Sequence, residues 1–147
     1  MAKSFFEVFP TLKLDKGLKD LMEQVRVERI SSTKAKDFLR IYLESDRLIP
    51  KESVFVVEKE IKKQLFPNAN ITIKIYEKFH LSAQYNAEKL FGIYKESILL
   101  EVREYSRLMH NIVKGAEFSF EDNKVKVTFD DTVLAIYLTI ISINKIN

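Results

Sequence analysis

The sequence predicts an α+β fold organised around a β-β-α-β core between Gln24 and Phe79, and three observations predict it. Two runs of alternating character, Val25 to Ile30 and Phe38 to Glu44, flank a short polar connection. Pro50 to Phe66 then carries apolar residues every three or four positions, the spacing of a helix. Ile71, Ile73 and Ile75 return to alternation and close the unit as a third strand. A chain of 147 residues suits one domain with a core of its own.

Ahead of the core, Phe5, Phe6, Val8 and Phe9 crowd before Pro10 and predict a short docked helix or turn. Leu14, Leu18, Leu21 and Met22 recur at three to four residues and predict a helix from about Asp15 to Glu23, weakened by Gly17. In the first core strand Val25 and Val27 share a face, whereas Ile30 falls out of phase, as a bulge or the strand's end would make it. Ser31, Ser32, Thr33 and Lys34 read as the polar connection. In the second strand Leu39, Ile41 and Leu43 form the core face, and Phe38, Arg40, Tyr42 and Glu44 the other.

Pro50 suits the first turn of the following helix, where its missing N–H costs nothing. Val54, Val57, Ile61 and Leu65 make its buried stripe, Glu58 and Lys62 form a favourable pair four apart on the exposed side, and Pro67 stops it. In the third strand Ile71, Ile73 and Ile75 point inward and Thr72, Lys74 and Tyr76 outward.

The longest periodic segment runs from Asn86 to Lys114, with Leu90, Tyr94, Ile98, Val102, Tyr105, Met109 and Ile112 on one stripe, and is expected to cover part of the sheet. Unbroken it would reach about 40 Å, about the width of a domain this size. A break is therefore expected near Tyr105 to Arg107, and Gly115 supplies a stop. Phe118 and Phe120, then Val125, Val127 and Phe129, alternate on either side of Asp122 and Asn123 and predict a hairpin over 117–130. Asp130, Asp131 and Thr132 suit a helix cap, yet Val133 to Ile143 is rich enough in β-branched residues to be a strand. That run is too short to cross a bilayer, which needs about 20 residues. The ending lacks a domain-closing feature and reads as a piece of something longer.

Composition narrows the function classes. Hydrophobic residues make up 46% and charged residues 31%, with 3 Gly and 3 Pro, which excludes a disordered or fibrous chain. With no cysteine, disulfides, thiolate nucleophiles and cysteine zinc sites are all excluded, and a cytoplasmic setting is expected. No signal-peptide pattern opens the sequence. A net charge of +3 allows an anionic partner without demanding one.

Four runs carry a family resemblance: "YLESDRLIP", "KQLFPNANITIKIYEKFHLSAQY", "YKESILLEVREYSRLM" and "DDTV". In order and wording they resemble the N-terminal region of the PolC-type DNA polymerase III alpha subunit, over about Phe5 to Leu138. The final run, "LAIYLTIISINKIN", departs from the amphipathic continuation expected there. The resemblance implies a bacterial replicative DNA-directed DNA polymerase whose polymerase and 3′–5′ exonuclease modules lie downstream. It also implies that this region is a non-catalytic interaction domain, related to the alpha-binding domain of the clamp-loader tau subunit and to truncated KH-like folds. The implied partner is a replisome protein such as tau or a helicase-loader component, with DNA reached through the full-length polymerase. No cofactor, membrane or small-molecule ligand is implied.

A KH domain grips nucleic acid with a GxxG loop, and Gly17, Gly92 and Gly115 form none. A different nucleic-acid surface could be built on the outward sheet face from Arg40, Tyr42, Lys74, Tyr76 and Lys78, cations for phosphate and rings for bases. The competing expectation is that Tyr42 and Tyr76 pack under the long helix while the cationic stems reach solvent. Lys59, Lys62 and Lys63, with Lys51 earlier, give the core helix a basic side; an ordinary solvated face is one reading, a contact with an acidic protein or DNA the other. Asp122, Asp130 and Asp131 read as turn and cap residues rather than metal ligands. His80 and His110 lack ligand or triad spacing. Catalysis within the chain is therefore not expected, and two functions compete: a protein-interaction domain and a single-stranded nucleic-acid-binding module.

Overall fold

The computed structural model describes residues 2–82, 86–121 and 124–128, and in these the alternating runs are strands and the three-and-four runs helices. By internal packing the chain divides into two compact units, Met1–Ser82 and Ala83–Asn147.

The first unit runs β1 (Lys3–Ser4), α1 (Phe5–Val8), α2 (Lys16–Met22), β2 (Arg26–Ser32), β3 (Phe38–Ser45), α3 (Lys51–Leu65) and β4 (Thr72–Phe79). Its sheet has the order β1-β2-β3-β4; the first two pairings are antiparallel and β3 pairs with β4 in parallel across α3. The predicted core is therefore present, with an added edge strand, β1, too short to leave an alternating pattern in the sequence.

The crowded phenylalanines dock as expected. Phe5 and Phe9 are buried with ring centroids 5.0 Å apart, and the Glu7 carboxylate accepts the Ser4 N–H at the start of α1. The Asp15 carboxylate caps α2 by accepting the Leu18 N–H at 2.9 Å. Between them, the Lys13 backbone exchanges two hydrogen bonds with the Gln64 side chain, which ties the segment to α3.

Ile30 is out of phase because of a bulge. Val27 pairs with Leu43 and Arg29 with Tyr42, leaving Glu28 as the extra residue. The strand then continues to Ser32, so Ser31 and Ser32 belong to β2 and not to the connection, which turns at Lys36 with φ 57°. Pro50 is the cap before α3, one position ahead of its expected place.

Ile41, Leu43, Ile73 and Ile75 meet Val54, Val57 and Ile61 of α3 and Phe5, Met22 and Val25 in one core cluster. Each such side chain contributes roughly 1.5–3 kcal/mol through burial. One expectation fails here: Lys51 is not on the exposed side of α3. Its side chain is 1% exposed and its Nζ lies 2.8 Å from the Glu77 carboxylate. Because Glu77 shares the inward face of β4 with Ile73 and Ile75, the first turn of α3 lies over it.

The second unit holds α4 (Ala87–Tyr105), α5 (Arg107–Lys114), β5 (Glu117–Glu121) and β6 (Lys124–Thr128). The long helix breaks at Ser106, within the predicted interval. Ser106 is extended, and its Oγ accepts the Met109 N–H to start α5. The break also disturbs the predicted stripe: Tyr105 is 76% exposed, while Ser97, Leu99 and Val113 are buried. Phe118 and Phe120 of the antiparallel hairpin lie 4.4 and 5.3 Å from the Phe91 ring of α4. The expected turn at Asp122 and Asn123, Phe129, the cap at 130–132 and the run from Val133 to Ile143 lie outside the described residues.

Candidate partner-binding surfaces of the four-stranded sheet

Period-two alternation sorts the sheet into an inward face and an outward face carrying Arg26, Arg29, Arg40, Tyr42, Tyr76 and Lys78. Tyr42 and Tyr76 are register partners on β3 and β4, and their rings stack with centroids 5.2 Å apart and planes 18° from parallel. On the other side of Tyr42 the Arg29 guanidinium sits 3.9 Å from the ring centroid. Arg29, Tyr42 and Tyr76 thus form a row across three strands in which both faces of Tyr42 are occupied. Tyr76, at the end of the row, is 40% exposed.

The other predicted residues of this face do not converge on that row. The Arg40 guanidinium lies 5.0 Å from the Phe38 ring. Lys74 reaches round the edge of the sheet towards α3, with its ammonium 5.9 Å from the Phe55 ring. Lys78 is exposed opposite Glu44. Glu44 lies near the Arg26 guanidinium and 3.7 Å from the His80 ring nitrogen. Arg26 also hydrogen-bonds Asp46 at 3.2 Å, which holds the Asp46 carboxyl below the ordinary carboxylate range. This end of the face is a mixed-charge lattice and not a cationic stripe.

The second surface is the edge of the sheet, where no strand among the described residues pairs with the far side of β4. Thr72 N–H donates to the Asp37 carbonyl and His80 N–H to the Ser45 carbonyl. The even-numbered residues of β4 therefore point their backbone groups at β3, and Ile73, Ile75 and Glu77 point theirs at the free edge. Glu58, from the middle of α3, reaches this edge, and its carboxylate accepts the Ile75 N–H at 2.9 Å. Burial pushes the Glu58 carboxyl above its usual range, against the opposing effects of that hydrogen bond and of Lys74 and Lys51. The predicted Glu58–Lys62 pair is replaced by this arrangement: the Lys62 ammonium donates to the carbonyls of Phe66 and Ala69 beyond the helix C-terminus.

Beside Glu58 a groove of about 470 Å³ opens between α3 and β4, lined by Lys59, Lys63, Pro67, Ile71, Thr72 and Ile73 among others. Lys59 and Lys63 are both exposed. Arg29 and Glu58 carry no signal of these roles in the sequence. Arg29 acquires its neighbour only once the bulge is counted, and Glu58 only once β4 is known to be an edge.

Among the described residues, no group of three or more His, Asp or Glu side chains could hold a metal ion, and no helix is long and apolar enough to cross a membrane. Among the described residues the first unit exposes a sheet face and a strand edge, and it is a small α+β module. Residues 4–75 match the family model described as DNA polymerase III polC-type N-terminus I. Through this segment, about half of the chain and all of the sheet up to the middle of β4, the protein belongs to the N-terminal region of PolC-type DNA polymerase III. No curated protein sequence and no solved structure matches it.

Proposed function

We propose that the chain is a non-catalytic docking domain of a PolC-type replicative polymerase, one that contacts another replisome protein. The clamp-loader tau subunit is the first candidate. The observation that carries this reading is the free edge of β4, where inward-facing isoleucines are flanked by strand backbone with no neighbouring strand among the described residues, beside a basic groove. Main-chain groups of this kind are a common means of holding an extended partner. Polymerase and exonuclease chemistry then belongs to other parts of the longer polypeptide. The direct test is calorimetric titration of the 147-residue chain with tau and, separately, with helicase-loader proteins. Saturable binding to one of them is expected, and absence of binding to all would overturn the reading.

The competing reading, a single-stranded nucleic-acid surface on the outward face, draws on Arg29, Arg40 and the exposed Tyr76. Base-stacking platforms present open ring faces, and here Arg29 and Tyr76 already cover both faces of Tyr42. Titration of labelled single-stranded DNA at several salt concentrations separates the two. Binding whose log affinity falls linearly with log salt would favour nucleic acid.

A further inference from the structure

We propose that the free edge of β4 receives an extended, acidic segment of a partner protein as an additional strand, and that Glu58 is the plug this segment displaces. The proposal deepens, and rests on, the reading of the chain as a docking domain. Three features converge on it. Ile73, Ile75 and Glu77 direct their backbone donors and acceptors outward, as the alternation between the Thr72 and His80 hydrogen bonds requires. The Ile75 N–H is occupied, but only by a side chain, which can swing away without breaking the sheet. The groove alongside is apolar at Pro67, Ile71 and Ile73 and basic at Lys59 and Lys63, which lie one helical turn apart.

The chemistry of the edge selects the occupant. A strand edge offers N–H donors and C=O acceptors in alternation, and another polypeptide backbone answers both. A phosphodiester backbone carries acceptors alone, so it would take the N–H groups and leave the carbonyls facing phosphate oxygens. The two exposed lysines then favour acidic side chains on the incoming strand. Once a peptide carbonyl takes the Ile75 N–H, the Glu58 carboxylate is released from a buried position to water, and this relief offsets part of the cost of breaking its hydrogen bond to Ile75.

The test starts with the intact 147-residue chain as bait for a display library of random twelve-residue peptides. Selected peptides are then titrated into the ¹⁵N-labelled chain. Enrichment of Asp and Glu in alternation with apolar residues is expected, with the largest amide shifts at Ile73, Ile75 and Glu77. The double variant Lys59→Glu/Lys63→Glu, altered only at exposed positions, should weaken binding about ten-fold. Glu58→Ala, which unplugs the edge, should tighten it about three-fold, the scale of one net hydrogen bond. If selected peptides shift Arg29 and Tyr42 or the helices of the second unit and leave β4 silent, strand addition is wrong while the docking reading stands. Strand addition is equally wrong if tau or a helicase-loader protein binds but no peptide is selected and the edge amides do not move. If oligo(dT) shifts the Ile73 and Ile75 amides where no peptide does, the occupant is a nucleic acid and the proposal falls.

Discussion

Removing Glu77 should damage the first unit more than any other single change to a charged residue of its sheet. The Glu77 carboxylate lies 2.8 Å from a Lys51 ammonium whose side chain is 1% exposed, while its own is 11% exposed. Lys51 is also the first residue of α3, where the helix dipole repels a cation. Glu77→Ala therefore takes from a buried positive charge the carboxylate 2.8 Å away, and neither the Glu58 carboxylate, which also acts on Lys51, nor the Phe55 ring 5.5 Å away fully replaces that attraction. Breaking a buried pair from one side costs about 3–5 kcal/mol; the slight solvent access of Glu77 puts the expectation at the lower end, about 3 kcal/mol. Lys51→Met should cost clearly less, because the remaining carboxylate borders solvent and the unfavourable dipole contact disappears. The double variant Lys51→Met/Glu77→Leu should recover most of the loss, as apolar replacements of buried pairs commonly do. Because the chain has two compact units, urea unfolding should be followed through the amide resonances of α3 and β4, which report on the first unit alone. With a slope of about 1 kcal/mol/M for a unit this small, the Glu77→Ala midpoint should fall by roughly 3 M. A midpoint within experimental error of the parent, or a double variant no better than Glu77→Ala, would refute this account of the pair.

Three further outcomes follow from particular residues. The Glu58 carboxyl is raised in the folded state, so its contribution to stability is fully present below its unfolded pKa and is lost as pH rises through the folded value. Urea midpoints of the parent should therefore improve relative to Glu58→Gln as pH falls from 7 to the ordinary carboxyl value of 4.5; an unchanged gap would count against burial as the cause. Gly92 lies inside α4, and beyond its chain neighbours and the surrounding helix backbone no described atom comes within 4 Å of the place its side-chain methyl would take, so Gly92→Ala should stabilise α4 by about 0.5–1 kcal/mol in amide exchange. Ser106→Ala removes the cap of α5 and should cost about 1 kcal/mol, seen as faster exchange at Met109.

The strands and helices were legible because their signal is local. Leu39, Ile41 and Leu43 alternate, Val54, Val57 and Ile61 step by helical turns, and each pattern needs only its own segment to be recognised. Even the break at Ser106 was legible, from length alone. What was not legible depends on which segments become neighbours. Lys51 looks solvated on a helical wheel and is buried because parallel pairing brings Glu77 beneath it. Lys74 alternates outward yet curls round an edge whose existence follows from strand order. Of the predicted binding residues, Tyr42 and Tyr76 meet, Lys59 and Lys63 share a groove, and Arg40 and Lys78 stand apart.

The extra residue at Glu28 has a consequence for how this sequence can vary. Strict alternation from Val27 would send Arg29 to the apolar layer and Ile30 to the exterior. The bulge absorbs one residue, so Arg29 stands against Tyr42 and Ile30 opposite Ile41 instead. Deleting Glu28 would leave Val27, Arg29 and Ile30 already in regular alternation with the same partners on β3. Relatives one residue shorter here should therefore keep the characters of the flanking positions, whereas a deletion on the far side of the bulge would force the strand to choose between its register and its faces. Glu28 acts as a spare count in the strand, the one place where its length can change by a residue without rewriting the rest.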